Sequence, residues 1–399
     1  MSEHPESPGR PYPGLPPLGG WFTEEEVEAL LACVRDSMDW RTGFSGPEIA
    51  QFEEAFAQYC GVQHAVAVNS CGTGLDVSMM CLDLEPGDEV ISPAITFRAT
   101  HHAIIGQGGK LVMCEIDPAT FNLDPADVEA RMTQRTRAIL AVHNNGLSAY
   151  MDELEAICEA HPHPKHGPPK VIGDAARAAG AGYKGTKVGK MGWMNVFSFQ
   201  TSKNMTTLGE GGMITTDDAT IAERARRIRA FGAGQQQWGT NYRMTRPQAA
   251  VGLVQLRRLD AMNDRRRDRA QRLTELLSGI EELTLPTEPE GCHHVYYGYT
   301  IMVPEAWAGA GRQRLMDWLQ SERGVGTVVM NNPTYKQDKL IASLGYGPEQ
   351  VPVSELTGER LFCLSLHPLM TDDDLQYIAG SVAEGVEFVA SAMAGGRPR

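Results

Sequence analysis

Helical periodicity begins at Thr23. The run Thr23-Glu24-Glu25-Glu26 has the form of a helix start, with a Thr cap and a Glu three positions on that reaches back. Val27, Leu30, Leu31 and Val34 follow at helical spacing. A second helix is predicted from Pro47, with Ile49, Phe52 and Phe56 on one face. From about 65 to 217 short apolar runs alternate with helical ones. Strands are predicted at 65–68, 89–92, 110–114, 137–142, 171–173, 195–199 and 213–216. Helices are predicted from 73 and near 98–107, 124–133 and 151–160, with Asp124-Pro125 as a cap followed by a first-turn proline. Short apolar strands separated by helices imply a largely parallel sheet covered on both faces, which binds ligands at the carboxyl ends of its strands.

Beyond about 260 the pattern changes. The charged run 264–272 reads as the solvated face of a long helix, followed by a strand at 296–303, a helix near 312–322 and a last helix from about 371. This predicts a division into an arm (1–22), a large domain (23–260) and a smaller α+β domain (261–399). The first 20 residues hold six Pro and four Gly, too many breakers for regular structure, and are expected to be ordered only against another surface.

Composition narrows the partners. Acidic residues outnumber basic ones 50 to 36, a net charge of −14, which argues against nucleic-acid backbones. No apolar run reaches the ~20 residues of a membrane helix. The start MSEHPESPGR lacks the basic-then-apolar order of a secretory signal, so a cytoplasmic location is expected. The eight cysteines form no CxxC or metal-type cluster, so no metal is expected.

Three segments carry candidate chemistry. Gly72-Thr73-Gly74 lies between a predicted strand and helix, where free N–H groups and the helix dipole suit a phosphate; without GxGxxG or Walker spacing, dinucleotides and NTPs are disfavoured. Asp174, in VIGDAARAAG, follows an apolar strand. It reads either as a helix cap or as a buried carboxylate in need of a cationic partner, for which a pyridinium N–H would serve. Lys203, in NVFSFQTSKNMTTLGEGGMITT, reads either as a surface lysine of a hairpin or as an amine that forms a Schiff base with an aldehyde. Taken in order, the three supply what pyridoxal 5'-phosphate requires: an anion cradle, a carboxylate for the pyridine nitrogen, and a Schiff-base lysine.

Together with GDEVISPAITFRAT, IDPATFNLDP, NYRMTRPQAAVGLVQLRRLD and LSLHPLMTDDDL, these segments resemble the DegT/DnrJ/EryC1/StrS family of pyridoxal-phosphate-dependent aminotransferases, from about residue 22 to about 385. The resemblance implies an α/β type I (aspartate aminotransferase-like) fold and a homodimer with shared active sites. It implies that Lys203 is the Schiff-base lysine and proton shuttle, and that Asp174 pairs with the pyridine nitrogen. Phe97 would stack on the ring. Gly72, Thr73 and Ser198 would hold the phosphate, and Asn241 would reach it from the second subunit. Arg177 stands where the family often has Gln or His; it would face the cofactor's phenolic oxygen or the substrate. The loop 330–335, with Asn331 and Tyr335, departs from the family's usual HYxPxH and is expected to line the acceptor pocket. The implied reaction moves an amino group from glutamate or glutamine, through pyridoxamine 5'-phosphate, to a keto sugar. A nucleotide-linked keto-deoxysugar of natural-product or surface-glycan biosynthesis is the first expectation. A keto-cyclitol, dehydration or another carbanion fate, and a non-catalytic regulatory protein are the alternatives.

Overall fold

A computed structural model of the chain describes residues 12–16, 19–41, 43–234 and 236–395; residues 1–11, 17 and 18 of the expected arm lie outside the described residues. The large unit begins with α1 (Glu24–Asp36) and α2 (Glu48–Cys60). In α1 the predicted cap is formed: Thr23 accepts the Glu25 N–H, and Glu26 reaches back to the Thr23 N–H at 2.7 Å. Next come β1 (His64–Val68), α3 (Cys71–Met80), β2 (Glu89–Pro93), α4 (Arg98–Gly106), β3 (Lys110–Cys114), α5 (Pro125–Arg131), β4 (Thr136–Val142), α6 (Met151–Ala160) and β5 (Lys170–Asp174). A hairpin, β6 (Gly182–Tyr183) and β7 (Thr186–Lys187), leads to β8 (Met194–Ser198), β9 (Gly212–Thr216) and α7 (Ala219–Ile228).

Seven of these strands form one sheet, in the order β1-β9-β8-β5-β4-β2-β3. Strand β9 runs antiparallel to both neighbours; the remaining pairs are parallel. The sheet's strands are near-continuous apolar runs because helices cover both faces. One face packs through Val66, Leu140, Ile172 and Val196 against α3, α4 and α7. The other carries Phe197 and Met213 onto α2 and the long helix α8 (Arg246–Leu277).

Helix α8 runs unbroken through residue 260. Its first half (Ala249, Leu256, Leu259, Met262) lies in the large core, and its second half (Ala270, Leu273, Leu277) lies in another. That second core is completed by elements that follow β10 (Cys292–His293): β11 (Tyr299–Met302), α9 (Ala310–Arg323), β12 (Thr327–Val328), the short α10 (Thr334–Gln337) and α11 (Lys339–Ala342), α12 (Pro352–Arg360), β13 (Leu361–Leu364) and α13 (Asp372–Gly395). Strands β11, β13 and β12 form an antiparallel sheet under α9 and α13. The segment around α10 and α11 returns to the large core through Ile341 and Val351. The described part of the arm lies along this assembly. Tyr12 pairs with Val325 and donates its hydroxyl to Asp374, and Gly19 N–H meets Thr201 O at 3.2 Å.

One expected strand is shorter than the sequence predicts. Residues 296–298 are not part of β11. Amides at and just before this segment bond to a turn instead, Val295 N–H to Gly146 O and Gly298 N–H to Asn145 O, and this holds the segment off the sheet.

Candidate active site

Register assembles the site. Pairing sets Val68, Gly212 and Ser198 side by side at one end of the sheet. Asp174, the last residue of β5, stands opposite Val196, two residues before Ser198. These are the carboxyl ends of β1, β8 and β5, where an open α/β sheet offers its crevice. The loop after β8 carries Lys203, and the turn after β1 opens into α3.

Helix α3 starts at Cys71, so Gly72 and Thr73 lie in its first turn rather than ahead of it. Ser70 caps it: its Oγ accepts the Thr73 N–H at 3.2 Å, so that amide already has a partner. A Cβ at Gly72 would have only Ser70 Oγ within 4 Å, at 3.8 Å, which leaves the helix end open to an anion. On the other side, Cys71 presents its thiol to Asp174 at 3.9 Å.

Asp174 is buried. One carboxylate oxygen accepts from Thr100 Oγ1 in the first turn of α4 at 2.8 Å; the other accepts from the Ala176 N–H at 3.1 Å. Burial pushes its carboxyl above the usual carboxylate range, although these bonds and the charges of Arg177 and Lys203 pull the other way. Phe97 caps the same helix α4 and is 54% exposed, with the Arg98 guanidinium 5.7 Å from its ring centre.

Lys203 is half-buried and stands 3.4 Å from the Tyr297 hydroxyl, with its ammonium 4.6 Å from the ring centre. Arg177 is buried; its Nη2 donates to Asn331 Oδ1 at 2.9 Å, and its Nη1 has no partner. Asn331 also donates to Asn144 Oδ1, whose own amide is fixed by Ile95 O and Phe121 O. Asn331 is therefore joined to the site through Arg177.

Tyr335 is not. Thr334 is pinned to Ala94 O and to His101, which turns the start of α10 so that Tyr335 donates to Glu355 at 2.6 Å instead. Asn241 lies beside Asn69 of its own chain, which donates to its carbonyl, and its side chain accepts from Arg243 at 2.9 Å. Tyr297 is the residue that the sequence reading missed. It sat inside what reads as a continuous strand, and Gly298 was the one local sign of a break.

The residues present fit pyridoxal phosphate. A buried carboxylate with no cation in hydrogen-bond contact among the described residues calls for a protonated ring nitrogen. The open start of α3 calls for an anion. Phe97 offers a stacking face. Lys203, with no carboxylate in ion-pair contact among the described residues, offers an amine. The cradle also depends on Gly212, where a Cβ would lie 2.6 Å from the Ser70 carbonyl carbon and 2.8 Å from Cys71 N. Backbone cannot yield there without moving the start of α3. Gly212→Ala is therefore expected to destabilise the fold by about 1–3 kcal/mol and to weaken cofactor binding, as read by urea melts and by titration of cofactor absorbance.

The sequence profile of the DegT/DnrJ/EryC1/StrS aminotransferase family matches residues 23–383. The spore coat polysaccharide biosynthesis protein SpsC of Bacillus subtilis is 34% identical over 94% of this chain and 97% of its own length. A pleiotropic regulatory protein of Geobacillus stearothermophilus is 36% identical over 90% of this chain and 95% of its own. Among solved structures, DesV of S. venezuelae, determined with a ketimine intermediate, superposes with a TM-score of 0.84 at 31% identity over 94% of this chain and 99% of DesV. The chain belongs to the DegT/DnrJ/EryC1/StrS aminotransferase family, with its type I fold, and is a pyridoxal-phosphate-dependent aminotransferase.

Proposed function

We propose that this enzyme moves an amino group from glutamate or glutamine to a keto sugar, and that the acceptor is a nucleotide-linked keto-deoxysugar used in glycan or natural-product assembly. The observation that carries the reading is the convergence of Lys203 and Asp174 on one end of the sheet beside the open start of α3. Bound pyridoxal phosphate supplies the aldehyde that carries the amino group and the ring that accepts the electrons left when a Cα–H bond breaks. The chain does the rest. Asp174 holds the proton on the ring nitrogen. Gly72 and Ser198 hold the phosphate, with Thr73 contributing if the Ser70 hydroxyl turns aside. Lys203 Nζ takes the Cα proton of the donor and returns it one carbon away. Phe97 fixes the ring plane. SpsC, a relative named for polysaccharide biosynthesis, supports a sugar acceptor.

The relative named as a regulatory protein keeps a non-catalytic reading in view; Lys203 and Asp174 together argue against it here. Stopped mixing separates the readings. The yellow cofactor-loaded protein is expected to bleach with glutamate or glutamine and to recover with a keto-deoxysugar nucleotide. Recovery with a keto-cyclitol alone would move the acceptor to that class, and no bleaching with any donor would favour the regulatory reading.

A second copy of the chain completes the site in this proposal. Trp40 (89% exposed), Met38, Phe44, Leu208, Phe231 and Trp238 are apolar and exposed. Their loops surround the start of α8: Arg246 takes Gly43 O and Ser45 O, Gln248 takes Glu210 O, and Arg243 lies over Phe231. Such a face is covered in stable proteins, and Asn241 stands on it. Replacing Trp40 and Phe44 by Glu is expected to convert a dimer to a monomer in sedimentation velocity and to weaken cofactor binding. A wild-type chain that is active as a monomer contradicts this.

A further inference from the structure

Charge around Lys203 is unbalanced. Arg266 of α8 is 1% exposed and, among the described residues, has no carboxylate partner; its terminal nitrogens meet the neutral carbonyls of Leu366 and Gly19, and its Nε meets none of the described residues. Arg177 is buried with Nη1 free. Lys203 adds a third cation. Asp174 is the carboxylate on this flank, and its oxygens are taken by Thr100, Ala176 and the Cys71 thiol. Buried cations without anions are costly. The acid that faces Lys203 and Arg177 is the phenol of Tyr297, 5% exposed. Its hydroxyl is 3.4 Å from Lys203 Nζ and 3.2 Å from Ser202 Oγ, and its ring centre is 5.4 Å from the Arg177 guanidinium. Arg266, on α8, is within reach of its charge. The departure of residues 296–298 from β11 is what brings it there.

We propose that Tyr297 is the acid–base partner of Lys203: its hydroxyl gives a proton to the neutral ε-amine, leaving phenolate and ammonium, and takes the proton back when the amine must again be neutral. The Arg177 guanidinium beside the ring holds the phenolate while it lasts. Burial alone would push the phenol up, but the charges of Lys203 and Arg177 and the Ser202 hydrogen bond bring it below the ordinary phenol range. The role deepens the aminotransferase reading and rests on it for what Lys203 does; the phenol's ionisation does not.

The test therefore starts on cofactor-free protein. Ultraviolet difference titration of the wild type is expected to show one tyrosine ionising below the rest. That step should vanish in Tyr297→Phe and move to higher pH in Lys203→Met, which removes the nearest cation. Superimposable curves for wild type and Tyr297→Phe overturn the proposal. With cofactor bound, Tyr297→Phe is expected to slow the donor half-reaction about 10²-fold at unchanged donor KM, with one limb of the pH profile lost. A lost titration step with an unchanged half-reaction overturns the partnership. If Tyr297→Phe does not fold, Lys203→Met decides alone: a low-titrating tyrosine that stays in place refutes the coupling.

Discussion

Lys203→Ala is expected to lower transamination by at least about 10⁴-fold, because one amine serves as both covalent anchor and proton carrier. The fold should survive. Lys203 is half-buried and its hydrogen-bond contact is the Tyr297 hydroxyl, so truncation opens no apolar cavity. The phosphate cradle and Asp174 remain, so pyridoxal phosphate should still bind, more weakly and without a bond that borohydride can reduce. Lys203→Arg should not restore activity: it keeps the charge but offers no nucleophilic amine. A small primary amine added to Lys203→Ala should restore part of the rate. Steady-state rates beside melting curves check all three, and a variant that keeps a tenth of wild-type activity contradicts the role.

Asp174→Asn is expected to cost about 10²–10³-fold in rate and at the same time to stabilise the cofactor-free protein. The two effects share one cause. The folded carboxyl titrates above its unfolded value of 3.8 because burial disfavours its charge. Above the folded value, the native state must hold a carboxylate that water would hold better, so the cost is full at neutral pH. As pH falls through the folded value the native state takes up the proton first and the cost shrinks; below the unfolded value it is gone. The gain in melting temperature from Asp174→Asn should therefore be largest near pH 7 and disappear in acid. Added pyridoxal phosphate should reverse the order, since the ring nitrogen gives the wild-type carboxylate its missing cation. A site that destabilises the empty fold and is relieved by its ligand is the usual compromise between stability and function.

Much of this architecture was legible in the sequence because its signals are local. The strand 110–114 and the cap at Thr23 follow from runs and spacings within a few residues. Asp174 and Lys203 were picked out by their places at or just past predicted strand ends, and the structure sets them at the end of β5 and in the loop after β8. Contacts across the chain were not. The run YYGYTIMV reads as one strand because its apolar and aromatic residues suit a sheet. Amide bonds to the turn at 145–146, about 150 residues earlier in the chain, peel away its first half and deliver Tyr297 to the lysine. Tyr335 was expected at the acceptor pocket, yet the tie between Thr334 and His101 turns it towards Glu355. The Pro-rich arm carried no pattern of its own, and the contacts of its described residues Tyr12 and Gly19 with Val325, Asp374 and Arg266 are ones that sequence periodicity could not have named.

Borohydride reduction of the cofactor-loaded protein, followed by peptide mapping, tests the central claim most directly. The pyridoxyl label is predicted on the single peptide that contains Lys203, and none is expected in Lys203→Ala. Label fixed on any other lysine, or protein that emerges unlabelled at saturating cofactor, would contradict the account.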